Sequence, residues 1–117
     1  MQDNMRTFQS HTPLTDEERS AIDGAIAALR SVDLIPCTNC GYCVKDCPEG
    51  VKIPIAMNLL NLEKTCEDNE FVKGLYSWQA AEGPASKCIQ CGTCEAMCPQ
   101  SIGIIDHLAE AVEHFEG

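Results

Sequence analysis

Apolar side chains recur along this chain at steps of three and four, with little alternation. Ile22, Ala25, Ile26, Leu29 and Val32 keep that rhythm early, and Ile55, Leu59, Leu60 and Leu62 resume it after Pro54. Phe71, Leu75 and Trp78 form a third line, and Ile105, Leu108, Ala109, Val112 and Phe115 a fourth. Such spacing keeps one face of a 3.6-residue helix apolar, so each line predicts a helix. Local signals place the ends. Thr15 with Glu18 reads as a capping box, and Asp16, Glu17 and Glu18 suit the positive end of a helix dipole, giving a helix over 15–32. Pro54 suits a first turn, with the helix running to about Cys66. Asp68 caps the third helix, and Gly83-Pro84 breaks it. No strand-like alternation exceeds four residues, so the expected fold class is all-α.

What the helices flank is more specific. Cys37, Cys40, Cys43 and Cys47 precede Pro48, and Cys88, Cys91, Cys94 and Cys98 precede Pro99. Both runs read C-x2-C-x2-C-x3-C-P, the spacing by which bacterial ferredoxins hold [4Fe-4S] clusters. Three thiolates of one tight loop serve three corners of a cube, and the fourth corner needs a sulfur from elsewhere. In two-cluster ferredoxins the fourth cysteine of each run serves the other cluster. The expected ligands are therefore Cys37, Cys40, Cys43 and Cys98 for one cluster and Cys88, Cys91, Cys94 and Cys47 for the other. Function follows as single-electron transfer.

The runs belong to an internal repeat offset by 51 residues, from Cys37 paired with Cys88 through Gly41 with Gly92 and Pro48 with Pro99 to Ile53 with Ile104. Approximate two-fold symmetry about the cluster pair is expected. Gly41 and Gly92 suit backbone turning tightly against a cluster. Val51, Ile53, Ile102 and Ile104 are expected to pack against the clusters and exclude water. The small bacterial ferredoxin type uses short hairpins and a short gap between runs. Here 40 residues separate Cys47 from Cys88, room for two helices, which favours an alpha-helical ferredoxin domain with two cluster-binding loops. Helices starting near Pro54 and residue 104 would aim free N–H groups at cluster sulfurs.

Other uses of cysteine fit less well. Zinc is the nearest alternative, but its four ligands typically come as two separated pairs, without a third cysteine at the same interval. A disulfide framework conflicts with an odd count of 9 cysteines, their clustering, and a polar opening, MQDNMRTFQS, without an apolar leader. Cys66 belongs to neither run and reads as a small, buried apolar side chain.

Composition narrows the partners. The 117 residues carry a net charge of −10, and about 5% are aromatic, so the apolar core is small. Two oxidised clusters bring the charge to roughly −14. That field repels nucleic acid and anionic membrane surfaces and favours a redox partner with a basic docking face. No run reaches transmembrane length. Reduced thiols point to a cytoplasmic location. The histidines are His11, His107 and His114, the last two expected on a solvated face. Tyr76 and Trp78 read as core, Tyr42 equally as core or cluster shield, and Lys45, Lys52 and Lys87 as surface residues. No phosphate loop, nucleophile–base pair or paired carboxylates stand out, so no catalytic residue is assigned.

Three stretches carry a family resemblance. IPCTNCGYCVKDCPEGVKIP (35–54), KCIQCGTCEAMCPQSIGI (87–104) and PLTDEERSAIDGAI (13–26) resemble the C-terminal iron–sulfur extension of certain bacterial aldo/keto reductase-like proteins. The resemblance spans about residues 5–117. It implies a preceding (β/α)8 barrel that binds a nicotinamide cofactor and carries an Asp/Tyr/Lys/His catalytic set, none of it within these residues. The expected organisation is a linker over 1–14 and a helical dicluster domain over 15–117, cut from a longer oxidoreductase. Rival readings are a free-standing helical ferredoxin, an iron–sulfur subunit of a redox complex, and a structural iron–sulfur or zinc domain that never cycles.

Overall fold

The capping box at Thr15 forms as expected. In this computed structural model, which describes residues 1–9, 12–66 and 68–117, Glu18 N–H donates to Thr15 Oγ1 at 3.2 Å and Thr15 N–H to Glu18 Oε2 at 2.8 Å. Helix α1 is Gln2–Gln9, and the capped helix α2 is Asp16–Arg30. Both lie in a unit of their own, Met1–Asp33, and neither buries a residue. His11 is outside the described residues.

The second unit is Leu34–Gly117. Its elements are a single turn α3 (Tyr42–Lys45), α4 (Ile53–Glu63), α5 (Asn69–Gln79), a 3₁₀ turn (Ala85–Lys87), a single turn α6 (Thr93–Ala96), α7 (Ile104–Ala111) and a closing π-helical turn (Val112–Glu116). No strand occurs among the described residues, so the fold is all-α. Helix α4 is central, packing on both α5 and α7, while α3 packs on α6. Its sequence IPIAMNLL is apolar nearly all round, as a helix buried between two others must be. Ile53, Ala56, Met57, Leu59 and Leu60 are buried. Pro54 sits in the first turn, where its missing N–H costs nothing.

Helix α5 buries a different face from the one its apolar line predicts, and α7 buries only part of its line. Asp68 caps α5 as expected, accepting from Phe71 N–H at 3.0 Å. Yet Phe71 is 55% exposed and Trp78 77%, while Val72, Tyr76 and Ala80 are buried. Tyr76 explains the rotation. Its ring stacks on Phe115 with centroids 4.7 Å apart, and its hydroxyl donates to Glu116 Oε1 at 2.6 Å while accepting from Ala85 N–H at 2.8 Å. A buried phenol brings a large apolar ring and also satisfies a backbone donor, which an indole cannot do by accepting. In α7 the buried positions are Ile104, Leu108 and Ala111, followed by Phe115; Ala109 is exposed, and Ile105 and Val112 are only partly buried. A π-helical turn, Val112–Glu116, follows Ala111, with Phe115 buried in it.

Cys66 lies beyond the end of α4, half-buried against the core, with its N–H on Leu62 O at 2.7 Å. His107 pairs with Glu110 at 2.9 Å, and the exposed His114 reaches Glu63 at 2.6 Å. Tyr42 is 54% exposed, so it is not a core residue.

Buried Gly83 brings the segment before the second cysteine run against the end of the first. Its carbonyl accepts from Lys52 N–H at 2.8 Å, and a methyl group on its Cα would run into the Gly50 carbonyl oxygen. Gly83→Ala is expected to destabilise by about 1–3 kcal/mol through this overpacking against backbone, read as a lower thermal midpoint under anaerobic conditions. Tyr76→Phe is expected to cost about 1–3 kcal/mol, because it leaves the Ala85 N–H buried without a partner. A midpoint equal to wild type would show that water replaces the hydroxyl.

Candidate metal centre

The two cysteine runs fold alike position by position. Asn39 and Gln90 have φ of +57° and +55°, Gly41 and Gly92 both +76°, and Gly50 and Ser101 +63° and +52°. These left-handed steps coil each loop tightly, and glycine takes the middle one without the Cβ strain other residues meet. Hydrogen bonds repeat as well. Cys47 N–H donates to Val44 O at 3.3 Å and Cys98 N–H to Glu95 O at 3.2 Å. Gly50 N–H meets Cys47 O at 3.2 Å, and Ser101 N–H meets Cys98 O at 3.1 Å. Exposure follows the same order: Cys43 and Cys94 are buried, Cys40 and Cys91 exposed, and the other four run cysteines intermediate. No disulfide joins any of the nine cysteines.

Two apolar cavities lie between the loops. One, of about 360 Å³ with its open mouth included, is lined by Cys37, Cys40, Cys43 and Cys98. The other is lined by Cys88, Cys91, Cys94 and Cys47. Each thus gathers three thiols of one run with the last of the other. The hydrophobic positions of the repeat are shared out similarly. Val51 and Ile53 line the second cavity, Ile53, Ile102 and Ile104 the first, and Ile53 stands at both. All four are buried.

The donor set suits a cluster. Among the described residues no three His, Cys, Asp or Glu side chains converge closely enough to hold a single metal ion. The thiols instead line two apolar spaces, four to each. Four soft sulfur donors with apolar walls are the surroundings of an iron–sulfur cube.

Burial pushes the Cys43 thiol up to about 11, helped by neighbouring Cys37, and raises Cys94 in the same way beside Cys88. Cys91 goes the opposite way. Hydrogen bonding with the Thr93 side chain and then with its backbone holds that thiol below its usual range. Without metal the inner thiols keep their protons, and metal binding expels them.

The helix starts behave differently from expectation. Ile53 N–H is taken by Val51 O at 2.9 Å, Ile55 N–H by Lys52 O at 3.0 Å and Ile104 N–H by Ile102 O at 2.9 Å. Ile105 N–H donates to Glu95 Oε1 at 2.9 Å. These donors close the turns or meet a carboxylate, so they are not free for sulfur. A backbone donor does reach sulfur inside the second loop, where Gln90 N–H lies 3.4 Å from Cys88 Sγ.

Side chains unremarkable in sequence hold the loops in place. Asn61 on α4 accepts from Ile35 N–H at 2.7 Å and donates to Ile35 O at 2.8 Å, fixing the entry to Cys37. Glu116 accepts from Tyr76 and, at 3.2 Å, from Ser86 N–H, fixing the entry to Cys88. Burial alone would raise the Glu116 carboxyl, but the bonds from Ser86 and Tyr76 hold it below the usual range. Neither Asn61 nor Glu116 sits in a motif, and no local signal distinguishes them. Their partners are 26 and 30 to 40 residues away.

Residues 36–103, more than half of the chain, match the family described as a 4Fe-4S dicluster domain. No curated protein and no solved structure matches the chain. The repeat, the paired thiol-lined cavities and the helical frame agree with that match. The chain belongs to the 4Fe-4S dicluster domain family: it is an all-α, ferredoxin-like protein that carries two [4Fe-4S] clusters and transfers electrons through them.

Proposed function

We propose that the chain is the electron-transfer module of a larger oxidoreductase resembling the aldo/keto reductases, with cluster ligands crossed between its two loops. The observation that carries the crossed assignment is the make-up of the two cavities, each with three thiols of one run and the last thiol of the other. Cys37, Cys40, Cys43 and Cys98 hold one cluster, and Cys88, Cys91, Cys94 and Cys47 the other. Each bound cluster supplies one-electron redox chemistry, and the protein supplies ligands, burial and hydrogen bonds. Ile53, bordering both cavities, keeps water from the space between them. The exposed Cys40 and Cys91 give each centre a rim within reach of a partner. Two centres in series let one-electron carriers feed a two-electron reaction such as hydride transfer in the parent enzyme.

A preceding (β/α)8 domain and a redox protein with a basic docking face are the proposed partners. The charge of −10 supports the second and disfavours nucleic acid and anionic membrane surfaces. Among the described residues no helix is long and apolar enough to cross a membrane. A cytoplasmic setting suits the free thiols. A second reading, a free-standing helical ferredoxin, is favoured by one observation: the family match lies wholly inside the unit Leu34–Gly117.

Anaerobically prepared protein is expected to hold about eight iron and eight sulfide, with the coupled-spin EPR signal of neighbouring clusters after dithionite reduction. Paired variants test the crossing. Cys40→Ser with Cys98→Ser strikes one cluster and is expected to leave about four iron, whereas Cys40→Ser with Cys47→Ser strikes both and leaves far less. The reverse order would refute crossed ligands. For the parent, the coding region upstream of Met1 should encode a barrel with the Asp/Tyr/Lys/His set. A stop codon there would favour the free-standing reading.

A further inference from the structure

The repeat is close to symmetric in backbone but unequal in the side chains that touch its sulfurs. Thr93 follows Cys91 by two residues, lines the same cavity and places Oγ1 3.5 Å from Cys91 Sγ. The equivalent residue of the first loop, 51 positions earlier, is Tyr42. A phenol carries its hydroxyl a full ring beyond Cβ, and this ring is more than half exposed, so it does not fold back on Cys40. As a thiol, Cys91 donates to the threonine oxygen. Bound to iron it has no proton, and the hydroxyl becomes the donor.

We propose that Thr93 tunes the cluster ligated through Cys91, donating to its sulfur and raising that cluster's reduction potential while leaving its neighbour untouched. The inference rests on the two-cluster reading with crossed ligands. One-electron reduction, with the electron drawn from dithionite in a titration, adds a negative charge that spreads onto the sulfurs. A donor at a ligating sulfur stabilises that charge, and hydrogen bonds to sulfur are a recognised control of cluster potential. Glu49, at the mouth of the same cavity, opposes the effect, and its place in the other half is taken by the neutral Gln100. Glu49 is exposed, so solvent screens its charge, whereas the Thr93 hydroxyl makes direct contact. The hydroxyl therefore dominates at Cys91. The consequence is a pair of centres made electronically unequal by side chains on a common backbone.

Three proteins decide it: wild type, Thr93→Val, which keeps the shape and removes the hydroxyl, and Thr93→Ser, which keeps the hydroxyl. Each is titrated reductively under EPR, with iron, sulfide and thermal midpoint measured on the same preparations. Thr93→Val is expected to lower one midpoint potential by about a tenfold change in the reduction equilibrium, about 59 mV for one electron. The other midpoint stays in place, and Thr93→Ser stays near wild type. Unchanged midpoints in Thr93→Val, or an equal fall in Thr93→Ser, would overturn the proposal. Wild-type protein with far fewer than eight iron would instead refute the two-cluster reading, so the two failures are told apart.

Discussion

Sulfur–iron coordination is the interaction on which the second unit depends. Two loops, 51 residues apart, each bring thiols to cavities that neither loop encloses alone. With little aromatic area to bury, part of the core is aliphatic side chains around those cavities, Val51, Ile53, Met57, Ile102, Ile104 and Leu108 among them. Filling the cavities is therefore part of folding, because ligand binding free energy adds to a modest hydrophobic term. The raised Cys43 and Cys94 thiols reflect the same fact: metal-free, these sites are apolar and disfavour charge.

The loops themselves are short and locally determined, so their placement needs outside support. That support is built differently at the two ends of the repeat. Asn61 grips Ile35 through both backbone groups, whereas Tyr76 and Glu116 together take the N–H groups of Ala85 and Ser86. Gly83 adds a close backbone contact that ties the approach to the second run to the end of the first. The repetition belongs to the cysteine loops and helix starts and stops there.

Electron transfer places few demands on a protein beyond distance, shielding and electrostatics. The geometry supplies shielding and access: cavities that share Ile53, buried inner thiols, and one exposed cysteine at each rim. Inequality between the halves, Thr93 against Tyr42 and Glu49 against Gln100, gives two chemically identical centres different surroundings. A wire built from a duplicated loop can acquire direction in this way without any change of ligand.

Much of this was legible in the residues alone. Spacing of cysteines marks the metal chemistry because four ligands of a cube must come from tight turns, and such turns are local. The capping box at Thr15 and the cap at Asp68 are local too, each involving groups three residues apart. Helical periodicity gave the fold class, since a 3.6-residue repeat is visible in any window of a dozen residues. Which face of a helix turns inward was not visible. The lines through Phe71 and Trp78, and through Ile105 and Ala109, are as apolar as those actually buried. For α5, the contact across 39 residues between Tyr76 and Phe115 decided the rotation. Asn61, Glu95 and Glu116 were hidden for the same reason: a hydrogen bond to a distant backbone leaves no trace in the sequence near either partner. Local chemistry was thus written in the chain, and only the packed structure chose among equally apolar faces and assigned the polar clamps.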